Sequence, residues 1–267
     1  MPLHPTALIS PDAQVGTGNQ IGPGVVIEDD VVIGNGNRFE PFVVIKRGSR
    51  IGDHNVFHDH AVIGGSPQIT NFQDVKSHVR IGNGGVFREY VTVHRASREN
   101  ESTEIGDGVL IMVCGHVAHD CRLGDAVIIA NNAAIAGEVE IESKAFISYG
   151  VGVHQFTRVG SLAMIGAITK ITQNVLPYFI TDGTPARVRG INRVGLERAG
   201  HTAEEILSLK EAYRILLGSR LSLKQAIVEL RTIKTFCTDH LADFLSSGCK
   251  RGFHRKVENL PESELAD

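Results

Sequence analysis

The chain has no tryptophan and only fifteen aromatic residues, four Tyr and eleven Phe, among 267 positions. The interleaved basic and aromatic stripes that grip nucleic acid are missing, and a formal charge of −3 gives a polyanion no electrostatic foothold. Four cysteines, Cys114, Cys121, Cys237 and Cys249, are too few and too scattered for a disulfide framework, so reduced thiols are expected. No uninterrupted apolar run approaches the roughly eighteen residues that a membrane-spanning helix needs. The start, MPLHPTALIS, lacks the charged n-region and long apolar h-region of a secretory signal. These absences predict a soluble cytoplasmic protein with no integral membrane segment and no nucleic-acid partner.

What is present is a column of apolar residues at intervals of six. Of the twenty-nine positions from Leu3 to Ile171, twenty-eight are apolar and the exception is Glu99. With 42% hydrophobic residues overall, chance would leave more than half of such a column polar. A period of six suits neither a 3.6-residue helix nor simple strand alternation, and it is what a parallel β-helix of hexapeptides requires. Many column residues precede glycine, as in Ile33-Gly34, Ile51-Gly52, Ile81-Gly82, Ile105-Gly106 and Leu123-Gly124. Asn35, Asp53, Asn83, Asp107 and Asp125 come next, and such pairs tolerate the backbone angles of tight corners. Each hexad then reads as a short strand plus a turn. Three hexads close an eighteen-residue triangular coil, and about nine coils at ~4.8 Å make a prism roughly 45 Å tall.

Two segments weaken the pattern and are expected to be loops. In 64–80, Ile69 and Val75 keep the phase but Pro67 and polar crowding oppose a strand; in 94–104 the phase is lost at Glu99. Loops on a rigid scaffold are common ligand sites, although plain insertions are as common. From about 187 the pattern becomes helical. Thr202 with Glu205 and Ser222 with Gln225 form capping boxes before amphipathic runs, and a third helix is predicted over 238–246. A basic tail, Lys250-Arg251 and Arg255-Lys256, follows. The reading is thus a mainly β chain with a β-helix over 1–186 and a small C-terminal helical region over 187–267. That region is expected to cap the open end of the solenoid or to pack beside it.

Eighteen residues per coil turns the numbering into a map. His119, Gly137 and Gln155 share one column, Ala118, Ala136 and His154 the next, and Asp120, Glu138 and Phe156 the third. His116 lies on the same coil as His119, and His119, Glu138 and His154 converge within about 10 Å. An imidazole there can take a hydroxyl proton, worth roughly 10²–10⁴ in rate. A backbone N–H beside Gly137 could approach a developing oxyanion unobstructed. A lone outward histidine is usually a solvated surface residue; three polar ring groups in one small-residue patch are not. His116, His119, Asp120 and Cys121 also use metal-ligand vocabulary. A spacing of three in a turning hexad need not aim both rings at one point, so no metal and no cofactor are expected.

With hexads from residue 3, the run His116-Val117-Ala118-His119-Asp120-Cys121, then Ala130-Asn131-Asn132-Ala133, then Val153-His154-Gln155-Phe156, and a helical tail from near Asn192, the chain closely resembles the bacterial acyl-[acyl-carrier-protein]:UDP-N-acetylglucosamine O-acyltransferases over nearly its whole length. The resemblance implies a left-handed coil, which periodicity alone does not fix. It also implies a homotrimer with active sites in clefts between prisms. A 3-hydroxyacyl group would pass from acyl carrier protein to the 3-hydroxyl of UDP-N-acetylglucosamine, the first step towards lipid A. His119 then matches the catalytic base, Asp120 the residue that orients it, and Gly137 the oxyanion amide. His94, His116, His154 and Gln155 match further active-site positions, and Asn192 and Arg198 match nucleotide or phosphate contacts. Asp74 and Lys76, in Gln73-Asp74-Val75-Lys76, match sugar and phosphate contacts. Ser66-Pro67-Gln68-Ile69 competes for that alignment, with Ile69 where the acid would fall. Ala167 holds the position that sets acyl-chain length, with Tyr149 one coil away.

Three departures stand out. Glu138 replaces a usual histidine in the substrate site, placing two carboxylates about 4.8 Å apart, so that one proton could be shared. Val194 stands where an acid is common, and Ala199 replaces the second of a paired-arginine motif. The acceptor is accordingly less determined than the reaction, and another sugar nucleotide is an alternative. A zinc-dependent hexapeptide carbonic anhydrase shares only the repeat, and its paired histidines are spaced differently. The related N-acyltransferase carries a domain before its hexads, for which Leu3 at the first rung leaves no room. A non-catalytic solenoid is the remaining alternative. Arg187, Arg189, Arg193, Lys250 and Arg251 could receive an acidic carrier protein or be merely solvated.

Overall fold

The computed structural model describes residues 3–219, 221–248 and 250–254. Apolar side chains at every sixth position enter a single interior column, and the backbone between them has to turn three times per coil. The result is three sheets of nine, eight and ten short strands, built of every third strand in parallel except at the C-terminal end of the ten-stranded sheet, where two consecutive strands are added and the last runs antiparallel. The coil is a left-handed parallel β-helix. Most strands are two residues long with the second buried, as in Ile128–Ile129 and His116–Val117. The interior is a continuous column that includes Ile27, Ile45, Ile63, Val93, Val117, Ile135 and Val153, none more than 2% exposed. Each such side chain removed from water contributes about 1.5–3 kcal/mol.

Register explains why the six-residue phase survives the loops. Val44 lies beside Val62, eighteen positions on, but Val62 lies beside Thr92 and Thr92 beside His116. Those two coils hold thirty and twenty-four residues, so each insertion is a whole number of hexads. Ile69 and Val75 keep their phase without joining the core, and Ile69 is 39% exposed. Both loops are shorter than expected. Strands Val62–Gly65 and His78–Ile81 bracket the first, and Thr92–His94 and Ser102–Ile105 bracket the second, which leaves 66–77 and 95–101.

The glycines that follow column residues serve a different purpose from the one expected. Gly34 and Gly52 do not have positive φ; a Cβ on Gly34 would lie 2.2 Å from Asp53 Oδ1, and one on Gly52 2.5 Å from Asn83 Oδ1. They make room for a polar ladder between coils. Asp53 Oδ1 accepts from Asn35 N at 2.6 Å, Asn83 Oδ1 from Asp53 N at 2.8 Å, and Asp107 Oδ1 from Asn83 N at 2.6 Å. The left-handed corner positions are instead often non-glycine, among them His60, Tyr90, Asp120 and Glu138.

Past the last coil, residue 187 begins a strand rather than a helix: Arg187–Ile191 pairs antiparallel with Phe179–Asp182. The helices are α1 (Arg193–Arg198), α2 (Ala203–Tyr213), α3 (Leu223–Ile233) and α4 (Phe236–Ser246). Both expected capping boxes form, and α4 starts two residues before the expected 238 with a third box at Thr235. The helices pack beside the final coils: Leu209, Leu230 and Leu241 share a core with Leu176, Tyr178 and Phe179. His240 bridges the two parts, with Nδ1 2.6 Å from Tyr178 Oη and Nε2 3.1 Å from Glu142. Cys249 and Arg255-Lys256 lie outside the described residues. Among the described residues no helix is long and apolar enough to cross a membrane.

Phe39, Phe57 and Phe87 stack inside one edge, with ring centroids 5.0 and 4.7 Å apart. Phe57→Ala opens a cavity in the middle of that stack and should cost about 3–5 kcal/mol. Chemical denaturation checks this; a loss below about 1 kcal/mol would mean the column collapses around the gap.

Candidate active site

His116 stands at an outward position of its strand and the chain then turns through a corner at Asp120, whose φ is 60°. The Asp120 amide donates to Thr103 Oγ1 at 2.8 Å, fixing that corner. The Asp120 side chain is 2% exposed, and its carboxylate accepts from the Ser97 amide at 3.1 Å and the Ser97 hydroxyl at 2.6 Å. His119 Nδ1 lies 2.6 Å from Asp120 Oδ2. Burial would raise this acid's pKa, yet the hydrogen bonds from His119 and Ser97 and the charge of Arg98 hold it down to about 2. An ionised carboxylate only accepts, so Nδ1 carries the proton, and in the neutral form of the ring Nε2 presents its lone pair.

Gly137 lies against the Cε1 and Nε2 atoms of that ring. A Cβ there would be 2.5 Å from His119 Cε1 and 2.6 Å from Nε2, so any larger residue would displace the imidazole. No acceptor among the described residues takes a hydrogen bond from the Gly137 amide. A cavity of about 470 Å³ opens here, lined by His116, His119, Gly137, His154 and Gln155. The stacking expected from the numbering therefore gathers these five. His94 stands behind them, its ring edge-on to His116 at 5.0 Å between centroids. Burial, then the neighbouring histidines, push His94 down to about 4, and its Nδ1 is buried without a hydrogen-bond partner, as suits an uncharged ring. His116 is lowered for the same reasons.

Other expected positions lie apart from this cavity within one protomer. Asp74 pairs with the buried Arg95, and Asp74 and Lys76 line a separate space with Asp29, Asp30 and Arg47. Gln68, from the competing segment Ser66-Pro67-Gln68-Ile69, lines the His119 cavity of the same protomer. Asn192 caps α1, accepting from Gly195 N at 3.1 Å and donating to Leu162 O at 2.8 Å, and is 8% exposed. Arg198, Ala167 and Tyr149 are exposed and none lines the cavity. Tyr149 and Ala167 stand on adjacent coils, where Ile168 N donates to Tyr149 O at 2.8 Å.

Glu138 points outward as expected, and a guanidinium stands between it and Asp120. Arg98 lies 3.6 Å from Asp120 and 3.4 Å from Glu138. The coil that carries it has twenty-four residues, so an eighteen-residue map could not find it. Lys170 was findable: it continues the column His116, Ala134, Gly152, and it lines the cavity. Lys250 and Arg251 frame the same region. Lys250 sits 4.5 Å from the Phe156 ring centroid, and Arg251 Nε donates to Gln155 O at 3.1 Å.

His116, His119, Asp120 and Cys121 do not converge as ligands. The buried Cys121 thiol donates to Ala136 O at 3.1 Å and is pushed up to about 12 by burial, while His119 Nδ1 is committed to Asp120. Among the described residues, the groups close enough to share an ion are His201, Glu205 and Cys237, and His58, Asp59 and Glu89. Neither includes His119.

Comparison with known proteins gives one answer along the chain. Residues 174–254 match the family described as Udp N-acetylglucosamine O-acyltransferase, domain 2, and residues 30–65 match six bacterial transferase hexapeptide repeats. The acyl-[acyl-carrier-protein]--UDP-N-acetylglucosamine O-acyltransferase of Anaeromyxobacter sp. (strain K) is 42% identical over 258 residues, 96% of this chain and all of the relative. That of Burkholderia orbicola is 40% identical over 232 residues, covering 86% and 88%. The UDP-N-acetylglucosamine acyltransferase structure from Bacteroides fragilis superposes with a TM-score of 0.91 at 35% identity, covering 94% of this chain and 98% of its own.

Every histidine whose pKa is resolved as shifted, namely His78, His94, His116 and His254, is lowered by burial. Such groups bind protons more readily unfolded than folded. Stability is therefore full above the unfolded value of 6.5 and falls as pH drops towards about 4, the folded value for His94. Melting temperatures should decline between about pH 7 and pH 5, and His94→Asn should reduce the slope. A flat profile in the parent protein would contradict the burial argument.

Proposed function

This chain belongs to the acyl-[acyl-carrier-protein]--UDP-N-acetylglucosamine O-acyltransferase family, and from that membership we propose how its residues carry out the reaction. The enzyme moves an acyl group from acyl carrier protein to an oxygen of UDP-N-acetylglucosamine. His119 Nε2 takes the proton of the acceptor's 3-hydroxyl, and that oxygen attacks the thioester carbonyl of the donor. The imidazolium is stabilised by the Asp120 carboxylate held against Nδ1. The negative charge that develops on the carbonyl oxygen is met by the Gly137 amide. Collapse expels the carrier's thiolate, which recovers the proton from His119. No cofactor is needed beyond the donor thioester.

A single observation supports this reading above the others: one imidazole is braced by a buried carboxylate at Nδ1 and has an amide-bearing glycine close against its Cε1 and Nε2 atoms. We assign the donor chain as 3-hydroxyacyl and the step as the first of lipid A synthesis, in the cytoplasm. His116, His154, Gln155 and Gln68 line the acceptor and donor path. Lys170, Lys250 and Arg251 supply positive charge near Gln155 for phosphates or for the acidic carrier protein. Asn192, Arg198, Tyr149 and Ala167 act in a homotrimer, where the neighbouring prism supplies the opposite wall. In that arrangement Ala167, being larger than glycine, shortens the accepted chain.

The test is transfer of labelled acyl groups from a panel of 3-hydroxyacyl carriers to UDP-N-acetylglucosamine and to its 3-amino analogue. His119→Ala should lower the rate by at least about 10² with little change in melting temperature. A variant with undiminished transfer removes His119 from the role of base. Preference for the amino analogue would reassign the acceptor.

A further inference from the structure

Arg98 stands between two carboxylates beside the reacting imidazole. Its guanidinium is 3.6 Å from Asp120 Oδ1 and 3.4 Å from Glu138 Oε1. The two acids occupy successive left-handed corners of one edge, with φ of 60° and 56°, and Glu138 N donates to His119 O at 3.0 Å. Asp120 is nearly enclosed, whereas Glu138 and Arg98 reach the solvent at 32% and 57% exposure. A second carboxylate one coil away from Asp120, left uncompensated, would draw a proton onto one of the pair. A protonated Asp120 would neither fix the Nδ1–H tautomer as an anion does nor stabilise the imidazolium that forms.

We propose that Arg98 is a positioning residue for the His119–Asp120 pair, and that Arg98 and Glu138 act as one unit in which the guanidinium cancels the second carboxylate. This rests on His119 as the base. The groups facing Asp120 are His119, Arg98, Glu138 and the thiol of Cys121, while His94 and His116 face His119 from neighbouring strands. Burial keeps the Cys121 thiol and the His94 and His116 rings uncharged, so Arg98 is the one permanent positive charge in this set. Glu138 in turn tethers an otherwise solvated arginine over the corner. The segment 95–101 brings Ser97 and Arg98 to Asp120 together, one by hydrogen bonds and one by charge.

The experiment compares kcat, acceptor KM and the pH profile of the full-length enzyme with Arg98→Ala, Arg98→Lys, Glu138→Gln and the Arg98→Ala/Glu138→Gln double variant. Arg98→Ala should lower kcat about tenfold near neutral pH, leave KM within about threefold and move the acid limb of kcat upward. Arg98→Lys should recover most of the loss. Adding Glu138→Gln to Arg98→Ala should bring kcat back to within about threefold of the parent, the signature of a coupled pair. Melting temperatures should hardly move, since an ion pair this exposed contributes little to stability. Unchanged kcat and pH profile in Arg98→Ala, or a double variant no better than Arg98→Ala alone, would overturn the inference. If His119→Ala abolishes transfer while Arg98→Ala has no effect, only this inference fails; if His119→Ala transfers normally, the base assignment fails with it.

Discussion

Everything in this molecule depends on the parallel backbone ladder between coils. Hydrogen bonds such as His116 N to Ala133 O at 3.0 Å and Ala134 N to Val151 O at 2.8 Å hold each turn directly over the last. Because side chains alternate between interior and exterior, a slip of one residue would turn a whole face of the prism inside out. The chain avoids this by lengthening coils only in whole hexads, as at 66–77 and 95–101. The interior column carries the stability, and the exterior positions of the same strands and corners are left free to carry chemistry.

The active cluster uses that freedom at the corners. A corner residue with positive φ projects differently from its neighbours on the flat faces, and Asp120 and Glu138 are in this backbone region at the cost of about 1–2 kcal/mol each. At Asp120 the cost is offset by four hydrogen bonds, three to the carboxylate and one from its amide. At Glu138 the amide bond to His119 O couples the corner to the coil that carries the base. The imidazole is thus located by Asp120 at Nδ1 and by Gly137 beside Cε1 and Nε2.

Most of the fold was legible because one physical variable, burial every sixth residue, controls it. The convergence of His116, His119, Gly137, His154 and Gln155 was legible for the same reason: on coils of constant length, arithmetic in sequence is geometry in space. The same arithmetic failed wherever a coil is longer. Arg98 contacts Asp120 across a twenty-four-residue coil, and Gln68 arrives from a thirty-residue one, so neither shares a column with the residues it serves. The glycine-corner rationale failed because backbone freedom and close approach favour the same residue. Only the position of the Asn and Asp oxygens distinguishes them. Asp74 and Lys76 stand apart from the His119 cavity of their own protomer, with the acid paired to a buried Arg95, and nothing local in the sequence announces that pairing.

The shape of the cleft bears on how the enzyme assembles. One prism presents His119 on a surface whose cavity, about 470 Å³, is lined by small residues such as Ala134, Ala136 and Gly152. Small residues leave space but enclose nothing, and an acyl chain lying on such a face would keep one side in water, forfeiting about 25 cal/mol for each Å² left uncovered. Tyr149 and Ile168, 51% and 69% exposed, are apolar groups on the outside of a molecule whose core is already full. A second prism laid against the face between the His119 edge and the edge that bears these two residues would cover both deficits at once: it would shield the chain and bury the exposed Tyr149 and Ile168 side chains. Cyclic symmetry would then repeat the arrangement without leaving an open end. On this argument the homotrimer we propose would be part of the catalytic design, because a neighbouring prism would supply the wall that shields His119 from water.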